Sequence, residues 1–398
     1  MKWEKVKLGN VTDSCLGKML DQNKNKGDYQ PYLANVNVRW GEFDLEDLPL
    51  MKFEESEQKR YELKYGDLVI CEGGEPGRCA IWKEQIPNMK IQKALHRVRV
   101  HDCLDYRYLF YWFLLAGKTG ELDQYFTGAT IKHMPGQKLK EVVIDKPPLE
   151  IQHRIADILS AYDDLIENNQ KQIKLLEEAA QRLYKEWFVD LRFPGHENTK
   201  IVDGVPEGWS IYPFSSKVDI MSGGTPKTSI PDYYNGKIPF YTPKDNDGAF
   251  FAYKTQMNIT EGGLKNCNSR LYPPKTVIIT ARGTVGKTTI LAVPMAMNQS
   301  CYALKMKEND APYYLFFALN NEIKALQTMA NGGVFNTIIG KTFDSINIQI
   351  PKDPLIYGFE ETVRPFMEQI KNKLQANSKL VEARDRLLPK LMSGEVKV

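Results

Sequence analysis

Residues 147–188 read PPLEIQHRIADILSAYDDLIENNQKQIKLLEEAAQRLYKEWF, and this stretch decides the architecture. Two prolines end the preceding segment, and apolar residues then recur at steps of three and four, the spacing of a coiled-coil seam. The members of this stripe are Ile151, Ile155, Ile158, Tyr162, Leu165, Ile166, Ile173, Leu176, Ala180, Leu183 and Trp187. The pattern predicts a helix over 151–187, which at ~1.5 Å rise per residue is ~55 Å long.

A second helix of the same kind lies near the C-terminus. LVEARDRLLPKLMS (380–393) aligns with LLEEAAQRLYKEWF (175–188), 205 residues apart. Its stripe comprises Phe359, Val363, Phe366, Ile370, Leu374, Val381, Leu388 and Leu391. Asn169 and Asn377 interrupt the two stripes, and a polar residue in such a seam tends to fix the register. We expect the helices to pack on each other in antiparallel orientation; the alternative is that each helix only covers its own globular domain.

The duplication extends to the segments that precede each helix. Four pairs of segments align in the same order at nearly constant spacing, which indicates a gene duplication. The pairs are Trp3 and Trp209, Gly17 and Gly223, LVICEGGEPGR (68–78) and VIITARGTVGK (277–287), and YRYLFYWFL (106–114) and PYYLFFALN (312–320).

Each copy begins with short β-branched and aromatic runs separated by Gly, Pro and Asn, which predicts a mixed globule with a twisted sheet and long loops. The predicted strands include 276–280, 288–293 and 345–350, and the predicted short helices are 105–117 and 312–329. The predicted fold class is α+β, with two mixed α/β domains joined by two long antiparallel coiled-coil helices in a pseudo-two-fold duplication. The expected boundaries are 1–148 for the first domain, 149–190 for the central helix, 191–205 for a linker, 206–353 for the second domain and 354–398 for the C-terminal helix. Antiparallel helices would place the two globules at opposite ends of a rod.

Composition limits the function. The 398 residues favour two or three domains, and 42% hydrophobic with 26% charged residues excludes wholesale disorder and a collagen-like fibre. Lys and Arg total 53 against 50 Asp and Glu, a formal net charge of +3. A protein that bound DNA alone over a broad phosphate footprint would be more basic, so any DNA-binding charge must be local or supplied partly by a partner.

Targeting and metal-binding patterns are missing from the sequence. No segment has the apolar core of a signal peptide or approaches the ~20 residues of a membrane span. The six cysteines form no CxxC pair and the five histidines form no zinc pattern. We therefore expect a cytoplasmic, metal-free protein with no membrane association, and we find no set of residues that would make a catalytic centre.

ARGTVGKT (281–288) satisfies the loose pattern of a nucleotide-binding P-loop. A P-loop must open a helix whose N-terminus holds phosphate, whereas TTILAVP (288–294) is β-branched and closes on a proline. The other copy, EGGEPGRC (72–79), keeps the glycines but lacks the Lys and Thr. We predict a glycine-rich hairpin with Gly at positions of positive φ, and keep ATP binding as a weaker alternative.

Polar side chains suited to DNA gather in repeat-equivalent loops. Asn and Gln can pair with adenine and Arg with guanine, while Lys holds phosphates. The candidates are Asn35, Asn37, Arg39, Arg78, Gln92, Lys93 and Lys132 in the first domain, and Lys227, Lys244, Asn246, Arg282, Lys287, Gln299 and Asn336 in the second. The alternative is that they only furnish hydrated loops. The two copies differ most in these loops while keeping their framework, as two half-sites with different contacts would require.

The sequence resembles the DNA-specificity subunits of type I restriction–modification systems. The resemblance is carried by GGTPKTSIPDYYNGKIPFYTPKD (223–245), TARGTVGKTTI (280–290), AMNQSCYAL (296–304), residues 147–188 and LVEARDRLLPKLMSGEVKV (380–398). It covers essentially the whole chain. The first globule fits least well, since SCLGKMLDQ (14–22) lacks the GGTP turn.

This resemblance implies that each globule is a target recognition domain that contacts one half of a bipartite asymmetric site in double-stranded DNA. The paired helices would set the gap between the half-sites and dock two modification (methyltransferase) subunits, for which Leu159, Leu175, Leu380 and Leu387 are candidates. The chain would be non-catalytic and hold no cofactor. S-adenosylmethionine, ATP and Mg would bind the modification and restriction subunits. The recognition subunit of a fused restriction–methylation enzyme (type IIB-like) and a coiled-coil adaptor that ignores DNA are the alternatives.

Overall fold

A computed structural model describes residues 3–21, 25–329 and 337–398. The chain divides into two compact units. The first unit consists of Met1–Ile166 and Lys379–Val398, and the second unit consists of Glu167–Ser378. Each unit therefore combines one globular copy with parts of both long helices.

Within the described residues, the globular part of the first unit contains nine strands and three α-helices. In chain order these are β1 (Glu4–Lys7), β2 (Thr12–Leu16), β3 (Asp28–Leu33), β4 (Leu50–Phe53), α1 (Gln58–Tyr61), β5 (Leu68–Cys71), β6 (Cys79–Ile81), β7 (Lys90–Ile91), β8 (Leu95–Val100), α2 (Tyr106–Thr119), α3 (Gly136–Glu141) and β9 (Val143–Lys146), followed by the long helix α4 (Leu149–Tyr184). A four-stranded antiparallel sheet has the order β2-β8-β5-β6. A three-stranded sheet has the order β4-β3-β7, and β1 pairs with β9.

The second unit repeats this plan. Its elements are β10 (Ile201–Val202), β11 (Val205–Pro206), β12 (Ser210–Pro213), α5 (Phe214–Lys217), β13 (Val218–Ser222), β14 (Tyr234–Tyr241), β15 (Phe251–Ala252), β16 (Asn258–Ile259), α6 (Glu261–Lys265), β17 (Val277–Thr280), β18 (Thr288–Leu291), β19 (Ala296–Met297), β20 (Cys301–Met306), α7 (Pro312–Met329), α8 (Gly340–Asp344), β21 (Asn347–Ile350) and the long helix α9 (Asp353–Met392). The sheet orders are β13-β20-β17-β18-β15, β16-β14-β19 and β12-β21, beside the small β10-β11 hairpin.

The sheet orders confirm the duplication and the predicted fold class. Strands β13, β20, β17 and β18 occupy the positions of β2, β8, β5 and β6 in an equivalent sheet. The predicted strands and short helices are all present, with ends shifted by a few residues. Residues 281–287 join β17 to β18 as an antiparallel hairpin in which Ile279 pairs with Thr288. The glycine-rich hairpin is therefore confirmed, because a P-loop would begin a helix at Thr288.

In the first unit, the two long helices run antiparallel within one hydrophobic core. Ile155 and Leu159 of α4 belong to the same buried cluster as Leu388 and Leu391 of α9. Further along, Asp163 of α4 accepts hydrogen bonds from the Arg384 guanidinium of α9 and, at 2.6 Å, from the Tyr111 hydroxyl of α2. Residues 379–398 thus complete the core of the first unit.

The helices are also antiparallel in the second unit. Asn169 Nδ2 donates to Asn377 Oδ1 at 2.8 Å, so the two polar interruptions of the stripes meet. At the other end of this pairing, the rings of Tyr184 and Phe359 lie 5.9 Å apart in edge contact. After Tyr184 the chain makes one π-helical turn, Lys185–Val189.

Each long helix is fastened to the short helix of its globule through a buried polar side chain. In the first unit, Gln152 is fully buried, and its Oε1 accepts the Asp105 backbone N–H at 2.9 Å while the Asp105 carboxylate caps α2. In the second unit Glu360 of α9 is 4% exposed and caps α7 itself by accepting the Tyr314 backbone N–H at 2.7 Å. Burial raises the pKa of Glu360 to about 7, although its backbone hydrogen bonds act in the opposite direction.

Candidate nucleic-acid interface

The glycine-rich turn of the second unit presents two cations to solvent. Gly283 and Gly286 have φ of 81° and 82°, a region that residues with a Cβ rarely adopt. Thr280 Oγ1 accepts the Lys287 backbone N–H at 3.0 Å and so closes the turn. The side chains of Arg282 and Lys287 are exposed, and within the described residues neither has a hydrogen bond or an ion pair. Both are therefore available to an anionic ligand.

The equivalent turn of the first unit keeps the backbone but uses its cation internally. Gly74 and Gly77 have φ of 78° and 89°. Arg78 is only 17% exposed; its guanidinium donates to Glu75 at 2.9 Å and to the Asn35 carbonyl at 3.0 Å. The structure therefore places Arg78 as a brace between two loops.

A short 3-10 turn lies beside each glycine-rich turn, at Asn35–Asn37 and at Pro243–Asp245. Asn37 is 6% exposed, and its side chain accepts the Ala34 N–H at 2.9 Å and donates to the Asp44 carbonyl at 3.1 Å. Because its amide is buried and occupied, we remove Asn37 from the contact set, which corrects that prediction.

The other candidates of the first unit remain at the surface. Arg39 is exposed and donates to the Val36 carbonyl, and Asn35 is half-buried near Gly74. Gln92 is half-buried with its Oε1 accepting the Ala94 N–H at 3.2 Å, which leaves its amide nitrogen free to donate. Lys93 is exposed, and Lys132 lies 3.5 Å from Asp123 and 5.6 Å from the ring centre of Phe126.

The candidates of the second unit fall into two groups. Thr284 Oγ1 donates to the Pro243 carbonyl at 3.4 Å, so the 3-10 turn that carries Lys244, and that Asn246 follows, lies beside the turn of Arg282. In the other group, Thr225 donates to Gln299, which joins the Lys227 loop to the start of β20. Asn336 lies outside the described residues.

A recess adjoins the glycine-rich turn in each unit. In the first unit a recess of about 610 Å³ is lined by Trp40, Phe126, Glu75, Asp123 and Lys132 among others. In the second unit a recess of about 870 Å³ is lined by residues that include Asn246, Lys287, Arg182, Phe250 and Asn320. Both recesses combine charges of each sign, since Glu75, Asp123 and Lys132 line the first, whereas Glu178, Arg182, Lys185 and Lys287 line the second.

The leucines proposed for partner docking differ in accessibility. Leu159 is fully buried in the core of the first unit, so it cannot form a docking surface, and the prediction is corrected at this position. Leu175 is 65% exposed, Leu380 is half-buried, and Leu387 packs partly against the first unit's core. The spacing of apolar residues along the helices did not distinguish the buried leucine from the exposed ones, because α4 contacts a globule as well as α9.

Among the described residues, the His, Cys, Asp and Glu side chains are dispersed. Within those residues, no three His, Cys, Asp or Glu side chains are grouped closely enough to hold a metal ion. Burial raises the pKa of the Cys301 thiol to about 12 and raises the pKa of Cys71 and Cys79 as well, so these thiols stay protonated and are poor nucleophiles. No helix in the described part of the chain combines the length and apolar character needed to cross a membrane.

One polar loop was missed in the sequence. Asn268 and Arg270 are exposed and lie in the segment between α6 and β17, next to Gly224. The corresponding residues 59–61 of the first copy are identical to residues 268–270 at no position, so alignment of the copies gave no signal. The GGTP turn was the available clue, because consecutive glycines often mark a close approach of another backbone.

Comparisons with known proteins agree with this architecture. The family described as "Type I restriction modification DNA specificity domain" matches residues 1–178 and again 206–375, the two copies of the duplication. The type I restriction enzyme MjaIX specificity subunit of Methanocaldococcus jannaschii is 30% identical over 341 residues, which cover 84% of this chain and 78% of that protein. The HindI specificity subunit of Haemophilus influenzae is 23% identical over 99% of both chains. The S subunit of a type I restriction-modification system from M. genitalium has a similar fold, with a TM-score of 0.59 at 18% identity, over 98% of this chain and 96% of that one.

Proposed function

The chain belongs to the type I restriction modification DNA specificity family, and we propose that it is the non-catalytic subunit that selects the DNA sequence in a restriction–modification complex. The first unit would contact one half of a bipartite site and the second unit the other half. The observation that carries this proposal is the pair of repeat-equivalent turns, which share a backbone but differ in the side chains that they expose.

Contacts in the second unit are assigned to its free polar groups. Arg282 and Lys287 at the turn, together with Lys244, would meet phosphates or guanine edges, since each is exposed. Lys227 and Gln299 form the second group. In the first unit we propose Lys93, Lys132, Arg39 and the amide nitrogen of Gln92, because these groups reach the surface, whereas Arg78 is only 17% exposed and is engaged with Glu75.

The long helices would set the gap between the half-sites and bind the modification subunits. Leu175 is the strongest docking candidate of the original four, because it is 65% exposed on α4. Two methyltransferase subunits would supply S-adenosylmethionine chemistry at adenine N6, and restriction subunits would supply ATP- and Mg-dependent cleavage. The modest net charge of +3 suits a chain whose partners share the contacts with phosphate.

Sequencing of methylated bases tests the proposal directly. A host without adenine methylation would express the neighbouring methyltransferase gene with and without this chain. We expect a bipartite N6-methyladenine motif only when the chain is present. A soluble complex that methylates no motif and binds no DNA would contradict the proposal and favour an adaptor.

A separate experiment tests the role of the helices. Removing one heptad from α4 and the facing heptad from α9 shortens the predicted spacing by ~10 Å, or about three base pairs of B-form DNA. We expect the methylated motif to keep both half-sites and to lose about three unspecified positions. An unchanged gap would show that the helices do not set it.

A further inference from the structure

We propose that the loop of residues 268–270 is a third DNA-contacting segment of the second unit, with Asn268 at a base edge and Arg270 at a phosphate. The inference rests on the proposed function, because it assigns further contacts to the same surface. It is carried by where the loop lies and by the two polar side chains that it leaves free.

The loop is packed against the two segments of the Thr225–Gln299 group. A methyl group built on Gly224 would lie 2.6 Å from the Asn268 backbone nitrogen, and one built on Gly223 would lie 2.2 Å from the Asn298 carbonyl oxygen. Real Cβ atoms do not approach other atoms so closely, so the two glycines are required where the three segments meet. Asn268 is thereby held beside the loop of Thr225, which bonds to Gln299.

The backbone of the loop is fixed on both sides. Ser269 Oγ is buried and accepts the Met297 backbone N–H at 3.0 Å. Tyr272 and Met295 exchange backbone hydrogen bonds of 2.8 and 3.1 Å, and the Tyr272 hydroxyl donates to the Ser222 carbonyl at 3.0 Å. The loop is therefore positioned before any ligand binds, which lowers the entropy lost on binding.

The side chains that flank Ser269 are not used by the fold. Asn268 and Arg270 are exposed, and neither side chain has a hydrogen bond or a salt bridge to the described residues. An amide offers a donor and an acceptor together, which matches base edges, whereas a guanidinium matches the geometry and charge of a phosphate. Lys227 and Gln299 are also exposed, on the two segments that pack beside this loop. Amides and cations together suit a polyanion whose base edges carry donors and acceptors.

The first unit differs from the second at the position of Gly224. Leu63 bonds to Met89 there as Tyr272 bonds to Met295, which fixes the equivalence of the two loops. Lys18 takes the position of Gly224, and its Nζ lies 2.5 Å from Glu57. Lys18 therefore carries a side chain where Gly224 has none, and the fold uses that side chain in an ion pair.

The test uses the full chain in complex with its methyltransferase subunits. Binding of Asn268→Ala and Arg270→Ala is measured on the methylated motif of the wild-type complex and on duplexes with single base changes in each half-site. We expect Asn268→Ala to bind about ten- to a hundredfold more weakly and to lose discrimination at one base pair of one half-site. Arg270→Ala should weaken binding to all sequences and reduce the slope of log K against log salt by about one.

Matched controls separate these effects from general ones. Asn347→Ala changes an exposed amide on β21, and Lys305→Ala removes an exposed charge on β20, which begins after Gln299. Both controls should bind as the wild type does, and all four variants should melt within a few degrees of it. The inference would be overturned if Asn268→Ala and Arg270→Ala kept the affinity, discrimination and salt slope of the wild type while Arg282→Ala bound DNA more weakly. That result would leave the proposed function standing. A wild-type complex that shows no sequence preference would overturn the proposed function instead.

Discussion

The two glycine-rich turns have the same backbone and opposite uses of their cations. The four glycines hold φ between 78° and 89°, and each turn joins two antiparallel strands of an equivalent sheet. In the first unit Arg78 bonds to Glu75 and to a backbone carbonyl, whereas in the second unit Arg282 and Lys287 are free within the described residues. The duplication therefore preserves the backbone geometry of the loop, whereas the contacts of its side chains differ between the two copies.

The connections between the globules and the long helices show a similar difference, because each connection is kept but is made by a different residue. Asp105 caps α2 in the first unit, and neutral Gln152 links it to α4. Ala311 stands at the corresponding place before α7, so the missing cap is supplied by Glu360 from α9. The fold therefore keeps the contact between the two helices and changes which residue carries the charge.

The largest expected effect comes from the helix residues that complete the first unit. Replacing Leu388 and Leu391 with Ala removes two fully buried side chains, at about 2–5 kcal/mol each. We expect hydrogen exchange to show loss of protection in β5 and α2, with β17 protected as in the wild type. Arg386→Ala, an exposed change on the same helix, is the control. Equal loss in both units would mean that they do not unfold separately.

The two helix connections predict different responses to pH, because Glu360 titrates and Gln152 does not. The pKa of Glu360 is raised from 4.5 to about 7, so the folded state keeps a proton that the unfolded chain releases. The stability of the second unit should therefore fall as pH rises from about 4.5 to 7, with a contribution in the same direction from Glu177, whose pKa burial also raises to about 7.

Exchanging the two side chains tests this difference. Glu360→Gln should stabilise the second unit at pH 8 by about 3 kcal/mol and flatten its pH dependence. Gln152→Glu should destabilise the first unit by a similar amount, because the Gln152 amide donates to the Pro147 carbonyl at 2.8 Å and a carboxylate cannot. Chemical denaturation at pH 5 and pH 8, followed by hydrogen exchange, measures both. A Glu360→Gln variant with unchanged pH dependence would contradict the assignment.

The two turn arginines should separate binding from stability. Arg282→Ala is expected to weaken DNA binding by about 1–3 kcal/mol at one half-site and to leave the melting temperature unchanged. Arg78→Ala should lower the stability of the first unit by about 1–2 kcal/mol, because two internal hydrogen bonds are lost. Binding isotherms and denaturation curves on both variants give the result. The reverse pattern would show that the turns have been assigned the wrong way round.

The smallest effect concerns the polar pair between the helices. Replacing Asn169 and Asn377 together with Leu should stabilise the second unit by about 1 kcal/mol, because the 2.8 Å hydrogen bond of a half-buried pair is exchanged for apolar contact. Gln375→Leu, at an exposed position of α9, is the control and should have little effect. Loss of stability in the double variant would show that the asparagines do more than fix the register.

The sequence predicted the elements well and their polar details less well. The duplication, the hairpin and the helix pairing follow from spacing and glycine placement, which are local or periodic signals. Whether a polar side chain is free depends on contacts from segments that are distant in the chain. The sequence therefore could not show that Asn37 is buried and hydrogen-bonded whereas Arg282 is exposed. Leu159 was misplaced for a related reason, because a helix stripe does not show which of two neighbours covers it. Glu360 gave no signal at all, since its partner lies 46 residues away in the chain.

The most direct test of two separable recognition units is to make them identical. Residues 206–353 are replaced by a copy of residues 1–148, and the methylated motif is determined with the same methyltransferase subunits. We expect a motif whose two halves contain the same bases, namely the half-site read by the first unit in the wild type. An unchanged asymmetric motif from the soluble, folded variant would contradict it.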